Sequence, residues 1–295
     1  MKPYKDFSDF MKEHFRCKMQ KLTVNAGFTC PNRDGTKGRG GCTYCNNQSF
    51  NPEYCATGLS VTEQLERGKE FFGRKYPNMR YLAYFQAYTN THDDDIDRLM
   101  GLYQEAVEVD KIDGVIIGTR PDCMPSRLLE RLVELPWVMV EYGAESAHND
   151  TLVRVNRCHT WEDTADAVRR THDAGIPCGL HLIMGLPGET REMMLETIDR
   201  VNELPVDTLK VHQLQLVRGT RMAKDVEVGL YDIPRFTAEE YAGLCAEIVG
   251  RLRDDIAIER FVSQSPPELL LYPRWNLKNY QFGNLLRKMF ASQTG

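Results

Sequence analysis

Short apolar runs alternate with amphipathic stretches along most of the chain, so the pattern repeatedly predicts a strand followed by a helix. The apolar runs predict strands at residues 22–24, 81–88, 114–118, 137–142, 177–184 and 208–216. The amphipathic stretches predict helices at residues 60–76, 95–109, 126–134, 160–174, 189–203 and 237–252. Three of these helices begin with a capping-box pattern, in which Ser60, Thr160 and Thr237 are the N-cap residues.

These successive strand–helix units predict an α/β fold with a parallel sheet. Because the strands are apolar on both faces, we expect a partial (β/α)6 TIM-like barrel, with a doubly wound open sheet as the alternative. We expect one domain over residues 1–295, with the barrel core at about 20–255 and a C-terminal extension at about 256–295. Functional groups of such barrels follow the carboxyl ends of the strands, where this chain carries its unusual residues.

The composition is that of an ordinary globular protein, with 42% hydrophobic and 27% charged residues among 295. No apolar run approaches the ~18 residues that a membrane span needs. Residues 1–10 also lack the apolar stretch of a secretory signal. We therefore expect a cytoplasmic protein with no membrane association.

The net charge of −5 is unevenly distributed. Residues 1–41 hold nine basic and four acidic side chains, and residues 261–295 hold four basic and one acidic. The remaining residues carry 24 basic and 37 acidic side chains. Positive ends on an acidic body indicate either a solvated surface or a face for an anionic partner such as RNA.

Three of the nine cysteines lie in one glycine-rich loop, with the spacing Cys30-x11-Cys42-x2-Cys45. Glycines let the backbone wrap closely round a bulky group. Three thiolates would leave one iron of a cubane cluster without a protein ligand, whereas an electron-transfer cluster normally takes four cysteines. The spacing alone also permits a zinc site completed by Cys55. The other cysteines fit small core residues or inert thiols.

Two stretches of this loop carry a resemblance to a known family. Cys30-Pro31-Asn32-Arg33-Asp34-Gly35 and Gly40-Gly41-Cys42-Thr43-Tyr44-Cys45 resemble the cluster loop of radical S-adenosylmethionine (SAM) enzymes. The chain looks most like the YhcC-like branch, which is related to the radical SAM domain of the elongator catalytic subunit. The resemblance extends over roughly residues 5–290. It implies a [4Fe–4S] cluster held by Cys30, Cys42 and Cys45, with SAM chelating the open iron.

The same resemblance implies a set of SAM contacts, most of them after the carboxyl ends of strands. Relatives hold the methionine amino group after strand two, the ribose after strand three, the carboxylate with an arginine and the adenine on strand five. The corresponding positions here are Gln86, Ala87, Thr119, Glu145, Arg157, Ile183 and Gly185. Thr119 stands where relatives often carry an acidic residue, and Cys158 where many have glycine. His181 fits either the barrel lumen or the core.

The resemblance implies reductive cleavage of SAM to a 5′-deoxyadenosyl radical, with an electron donor such as flavodoxin or ferredoxin. The first substrate hypothesis is a tRNA wobble-uridine side chain. The alternatives are a radical reaction on a small metabolite and a zinc-stabilised, non-enzymatic binding module. Neither a catalytic residue nor an oligomeric state is predicted.

Overall fold

The chain forms a curled parallel sheet with helices on its outer face. A computed structural model describes residues 3–46, 52, 54–73 and 79–293. Seven strands lie in the order β1-β2-β3-β4-β5-β6-β8, and neighbouring strands pair in parallel. They are β1 (Met19–Val24), β2 (Arg80–Phe85), β3 (Ile112–Thr119), β4 (Val138–Glu145), β5 (Cys178–Met184), β6 (Thr208–Gln213) and β8 (Ala257–Arg260). Lys21 on β1 lies 2.5 Å from Glu259 on β8, so the two edge strands approach each other across a lumen.

The helices mainly follow the strands along the chain and bury the apolar outer face of the sheet. They are α1 (Phe7–His14), α2 (Pro31–Asp34), α3 (Val61–Gly73), α4 (Ile96–Glu108), α5 (Ser126–Leu132), α6 (Asn149–Arg154), α7 (Trp161–Asp173), α8 (Arg191–Asn202), α9 (Arg221–Glu227), α10 (Ala238–Arg251) and α11 (Asn279–Gln293). Within the described ranges, no helix has both the length and the apolar character that a bilayer span requires.

The N-terminal helix α1 closes one end of the lumen. Its Phe10 and Met11 pack with Leu82, Tyr84 and Met139, which point inward from the strands. Leu82 and Tyr84 share the inner face because they are two residues apart on β2, and strand side chains alternate between the two faces of a sheet. This packing fills the amino end of the lumen, and the cavity described below lies at the carboxyl ends of the strands.

The partial barrel predicted from the sequence is confirmed, with one strand more than expected. Hydrogen bonds form all three predicted capping boxes, at Ser60, Thr160 and Thr237. The helix predicted at 60–76 is observed to Gly73, and its expected end lies outside the described residues. The strand β8 was not predicted, and neither were the helices α1, α2, α6, α9 and α11.

The strand predicted at 208–216 is interrupted. β6 ends at Gln213, and Leu216–Val217 forms a separate strand, β7, which pairs antiparallel with β9 (Leu270–Tyr272) of the C-terminal extension. The break occurs where the Gln213 and Gln215 side chains hydrogen bond to the extension. The extension thus covers one side of the lumen opening.

Candidate active site

A cavity of about 220 Å³ lies in the lumen at the carboxyl ends of the strands. Cys30, Cys42 and Cys45 all line it. Of the positions expected to contact SAM, five line the same cavity: Gln86, Thr119, Glu145, Arg157 and Ile183. The fold therefore brings the cysteine loop together with five side chains that are far from it in the sequence.

The other two expected SAM contacts lie beside this cavity without lining it. Ala87 follows Gln86 and is 1% exposed. Gly185 follows β5 with φ +90°, and a side chain there would meet Phe236 at 3.3 Å. A glycine suits this position because its left-handed backbone and the close ring both disfavour a Cβ atom.

The cysteine loop is shaped by a short helix and by glycines in the left-handed region. Cys30 is the N-cap of α2, whose first residue is Pro31 and whose C-cap is Gly35 at φ +95°. Gly41 has φ +75°, and a Cβ atom there would lie 2.9 Å from the Arg33 Nε atom. This close packing holds Arg33 beside the cysteines, where it donates a 3.1 Å hydrogen bond to the Cys45 carbonyl.

The thiols lie among hydrogen-bond donors. The Cys42 sulfur accepts a hydrogen bond from Arg157 at 3.4 Å and one from Asn32 at 3.6 Å. Burial, followed by the neighbouring Cys42, raises the pKa of Cys45 to about 11, and Arg33 opposes the rise. A thiol binds a metal as thiolate, so donors and positive charge favour the ligand form.

Arg157 is held in a turn that bends sharply on both sides of it. Asn156 has φ +55° and Cys158 has φ +60°, both in the left-handed region. Its guanidinium donates to the Gly143 carbonyl at 2.6 Å and lies 3.4 Å from the Glu145 carboxylate. A Cβ atom at Gly143 would fall 2.5 Å from Arg157, so only glycine leaves room for this contact.

A second arginine, Arg120, stabilises this turn by a hydrogen bond. Arg120 donates to the Arg157 carbonyl at 2.8 Å and forms a bidentate ion pair with Asp122 at 2.9 and 3.0 Å. Burial raises the pKa of Asp122, but Arg120 and Lys37 outweigh it and lower the pKa to about 2. Arg120 and Asp122 are thus joined to each other and position Arg157.

The residues present fit a cluster with one open iron and a carboxylate-bearing ligand beside it. Three thiols surround one cavity, and the buried Nε atom of Arg157 has no hydrogen-bond partner. An arginine fork suits a carboxylate because it offers parallel N–H donors. In the described part of the chain, no three His, Cys, Asp or Glu side chains converge on a single metal ion.

The zinc alternative required Cys55 as the fourth ligand. The Cys55 thiol instead donates to the Thr23 carbonyl at 2.8 Å and does not line the cavity. Burial raises the pKa of this thiol to about 12, which disfavours a thiolate. Its hydrogen bond and burial identify Cys55 as a structural residue.

The floor of the lumen carries four charged side chains that pair with one another. Glu141 is 1% exposed and accepts ion pairs from Lys21 at 2.8 Å and Lys210 at 2.5 Å. Glu259 pairs with the same two lysines, at 2.5 and 3.2 Å. We call these four residues the floor cluster. His181 lies 2.9 Å from Glu141 and lines the cavity. Of the two positions predicted for His181, the lumen is therefore confirmed and the core is not.

The C-terminal extension forms another wall of the cavity that the sequence did not reveal. Gln213 exchanges two hydrogen bonds with the Ser263 backbone, at 2.9 and 3.0 Å, and Gln215 accepts one from the Ser265 hydroxyl at 2.7 Å. These four residues also line a second cavity of about 550 Å³, bounded by the extension. The one sequence feature that could have indicated this wall is the pair of polar side chains on an otherwise apolar strand.

A half-barrel whose carboxyl-end cavity holds three thiols and a buried arginine defines a class of iron–sulfur α/β enzymes. Family models give the particular family: the radical SAM superfamily model matches residues 29–201, and the radical SAM C-terminal domain model matches residues 206–291. The chain belongs to the radical SAM superfamily, whose members use a [4Fe–4S] cluster and SAM. The sequence-based recognition and both expected cofactors are confirmed at this level.

Similarities to individual proteins support the same family assignment. Protein YhcC of Escherichia coli K12 is 38% identical, with 91% of this chain and 86% of YhcC covered. A tRNA uridine(34) acetyltransferase of Methanocaldococcus jannaschii is 30% identical over 39% of this chain and 22% of its own length. The solved Elp3 of Methanocaldococcus infernus superposes with a TM-score of 0.68 at 18% identity, covering 94% of this chain and 63% of that one. That structural likeness confirms the fold.

Proposed function

We propose that Cys30, Cys42 and Cys45 ligate the cluster and that this enzyme acts on a tRNA wobble-uridine side chain. When bound, the cluster and SAM supply a 5′-deoxyadenosyl radical that removes a hydrogen atom from the substrate. An electron donor such as flavodoxin or ferredoxin provides the reducing electron. The observation that carries the proposal is the single cavity that the three thiols share with Arg157.

The chain's own residues have positioning roles in this proposal. Arg157 binds the SAM carboxylate, and Gly143 keeps the space into which its guanidinium extends. The backbone near Gln86 and Ala87 receives the methionine amino group, and Thr119 faces the ribose. Ile183 and Gly185 pack against the adenine. The extension and α1 limit water access, which protects a radical from side reactions.

The cluster assignment is tested on anaerobic protein reconstituted with iron and sulfide. We expect about four irons per chain and 5′-deoxyadenosine after addition of SAM and dithionite. Cys42→Ala should lose both because two thiolates hold a cubane poorly. The matched control is Cys17→Ala, since Cys17 is an exposed thiol outside the cavity. Zinc in place of iron, or full activity of Cys42→Ala, would refute the assignment.

The tRNA substrate is supported by charge and by relatives. The M. jannaschii relative is a tRNA uridine(34) acetyltransferase, an enzyme named for its action on uridine 34 of tRNA. Exposed arginines lie around the cavity opening. The Arg39 carbonyl accepts a hydrogen bond from Asn156, which precedes Arg157. The Arg218 carbonyl accepts one from Asn46, which follows Cys45. Arg274 lines the second cavity. Such an arginine rim suits contacts with a phosphate backbone.

Binding of unmodified tRNA transcripts at several salt concentrations tests this substrate. A triple glutamine variant at Arg39, Arg218 and Arg274 should bind more weakly and reduce the salt slope by about two to three, because each lost phosphate contact removes about 0.9. The control variant replaces three exposed arginines on the outer helices, Arg127, Arg169 and Arg251. Absence of tRNA binding at low salt would contradict the tRNA hypothesis and favour a small metabolite.

A further inference from the structure

The charges inside the lumen do not balance once every pair is counted. In the floor cluster, two lysines face two carboxylates, and the ion pairs of 2.5 to 3.2 Å use all four. His181 and His212 lie above them. Burial, followed by neighbouring positive groups, lowers the pKa of both imidazoles and so disfavours their charged forms. The floor cluster therefore contributes no net charge.

Arg260 is an additional positive charge in this region. It follows Glu259 at the end of β8 and lines the cavity that holds the three cysteines. Its Nε atom is buried without a hydrogen-bond partner. Across the described ranges, no hydrogen bond or ion pair reaches its guanidinium. Arg260 is partly buried, so its guanidinium N–H donors are available to a group that enters the cavity.

The other arginines of this cavity already have acceptors. Arg120 pairs with Asp122, and Arg157 binds the Gly143 carbonyl and faces Glu145. Arg33 donates to the Cys45 carbonyl beside the cluster ligands. Arg260 differs from these three because it lies on the opposite edge strand, next to the wall formed by the extension. It therefore has N–H donors available to a ligand in this cavity.

We propose that Arg260 binds an anionic group of the substrate, a carboxylate or a phosphate, and so fixes how deep the substrate enters the lumen. Three residues further along the chain, Ser263 lines both cavities, so a ligand spanning them passes Arg260. A guanidinium fork binds either anion through two N–H donors. This inference deepens the proposed function. It rests on that proposal because the proposal makes this cavity the substrate site.

Titration calorimetry with reconstituted full-length protein at saturating SAM tests this site. The probes are uridine 5′-monophosphate for a phosphate and succinate for a carboxylate, with uridine and succinamide as their neutral controls. We expect one anion to bind more tightly than its control, and Arg260→Gln to weaken that anion at least tenfold. The anion that is affected identifies the group. The matched control is Arg251→Gln, which removes an exposed arginine at the end of α10.

Three outcomes would overturn the proposal: neither anion exceeds its neutral control, Arg260→Gln binds both as the wild type does, or the variant loses SAM affinity instead. Arg260→Lys provides a second variant, with an intermediate loss because it keeps the charge without the fork. Formation of 5′-deoxyadenosine without any probe is measured separately. If the wild-type protein forms no 5′-deoxyadenosine, the result counts against the proposed function. The titrations would still show whether Arg260 binds an anion.

Discussion

At the floor of the lumen, charged side chains satisfy one another, whereas at the cysteine end polar groups are left for a ligand. Glu141 is bound by two lysines and a histidine, and it is almost completely buried. The Arg157 Nε atom, by contrast, is equally inaccessible but has no partner. Both regions lie in one lumen, less than the length of a strand apart.

The difference separates stability from function. The fully paired buried charges hold the two edges of the half-barrel together, because Lys21 on β1 forms an ion pair with Glu259 on β8. Buried donors without acceptors stabilise nothing until a ligand arrives. We therefore expect substitutions at the floor to change folding and substitutions at the cysteine end to change binding.

The largest expected effect is that of Glu141→Gln. The change leaves Lys21 and Lys210 facing a neutral amide, and breaking a buried ion network typically costs about 3–5 kcal/mol. We expect a loss of this size in the free energy of unfolding of the protein without cluster, measured by urea denaturation. The control is Glu247→Gln, which removes an exposed pair with Arg191 and should cost less than about 1 kcal/mol. Equal effects of the two variants would contradict a structural role for the floor.

The sequence predicted the cysteine end far better than the floor. Cys30, Cys42 and Cys45 are close in the chain, and their spacing with surrounding glycines is visible by inspection. The lysine partners of Glu141 are 69 and 120 positions away and its histidine partner is 40 away, so only the folded sheet reveals that they meet. A single glutamate in an apolar strand gives no indication of its partner.

The missed elements have a similar physical cause. β8 has four residues, Ala257–Arg260, and two of them are charged, so it lacks the apolar run by which the longer strands were predicted. Its Glu259 points into a lumen where Lys21 and Lys210 compensate the negative charge. The extension is stabilised by side-chain contacts such as Gln213 with Ser263, which no local pattern encodes. The single-domain assignment stays a prediction.

A smaller effect, confined to binding, is expected for Arg157→Lys. A lysine keeps the positive charge but cannot donate two parallel hydrogen bonds to a carboxylate. We expect unchanged iron content and SAM binding weakened about tenfold, or about 1.4 kcal/mol, measured by titration of the reconstituted protein. The stability of the cluster-free protein should change less than in Glu141→Gln. Unchanged SAM affinity would remove Arg157 from the proposed carboxylate site.

The smallest expected effect concerns Cys158, which borders the cysteine end without belonging to it. Cys158 has φ +60°, a conformation that costs an L-residue about 1–2 kcal/mol and glycine nothing comparable. The shortest hydrogen-bond contact of its thiol is with the Asn32 side chain, at 3.1 Å. Cys158→Gly and Cys158→Ala both lose that contact, but only glycine relieves the backbone.

The two variants therefore separate packing from ligation. Cys158→Gly should be more stable than Cys158→Ala by about 1 kcal/mol in urea denaturation, and both should reconstitute with the iron content of the wild type. Loss of iron in both variants would make Cys158 a ligand and would move the boundary of the cluster site. Equal stability of the two would instead show that the left-handed turn around Arg157 imposes no strain. The turn would then be an easily deformed support for Arg157. The contrast between the self-paired floor and the ligand-dependent cysteine end would in that case hold for the backbone as well as for the side chains.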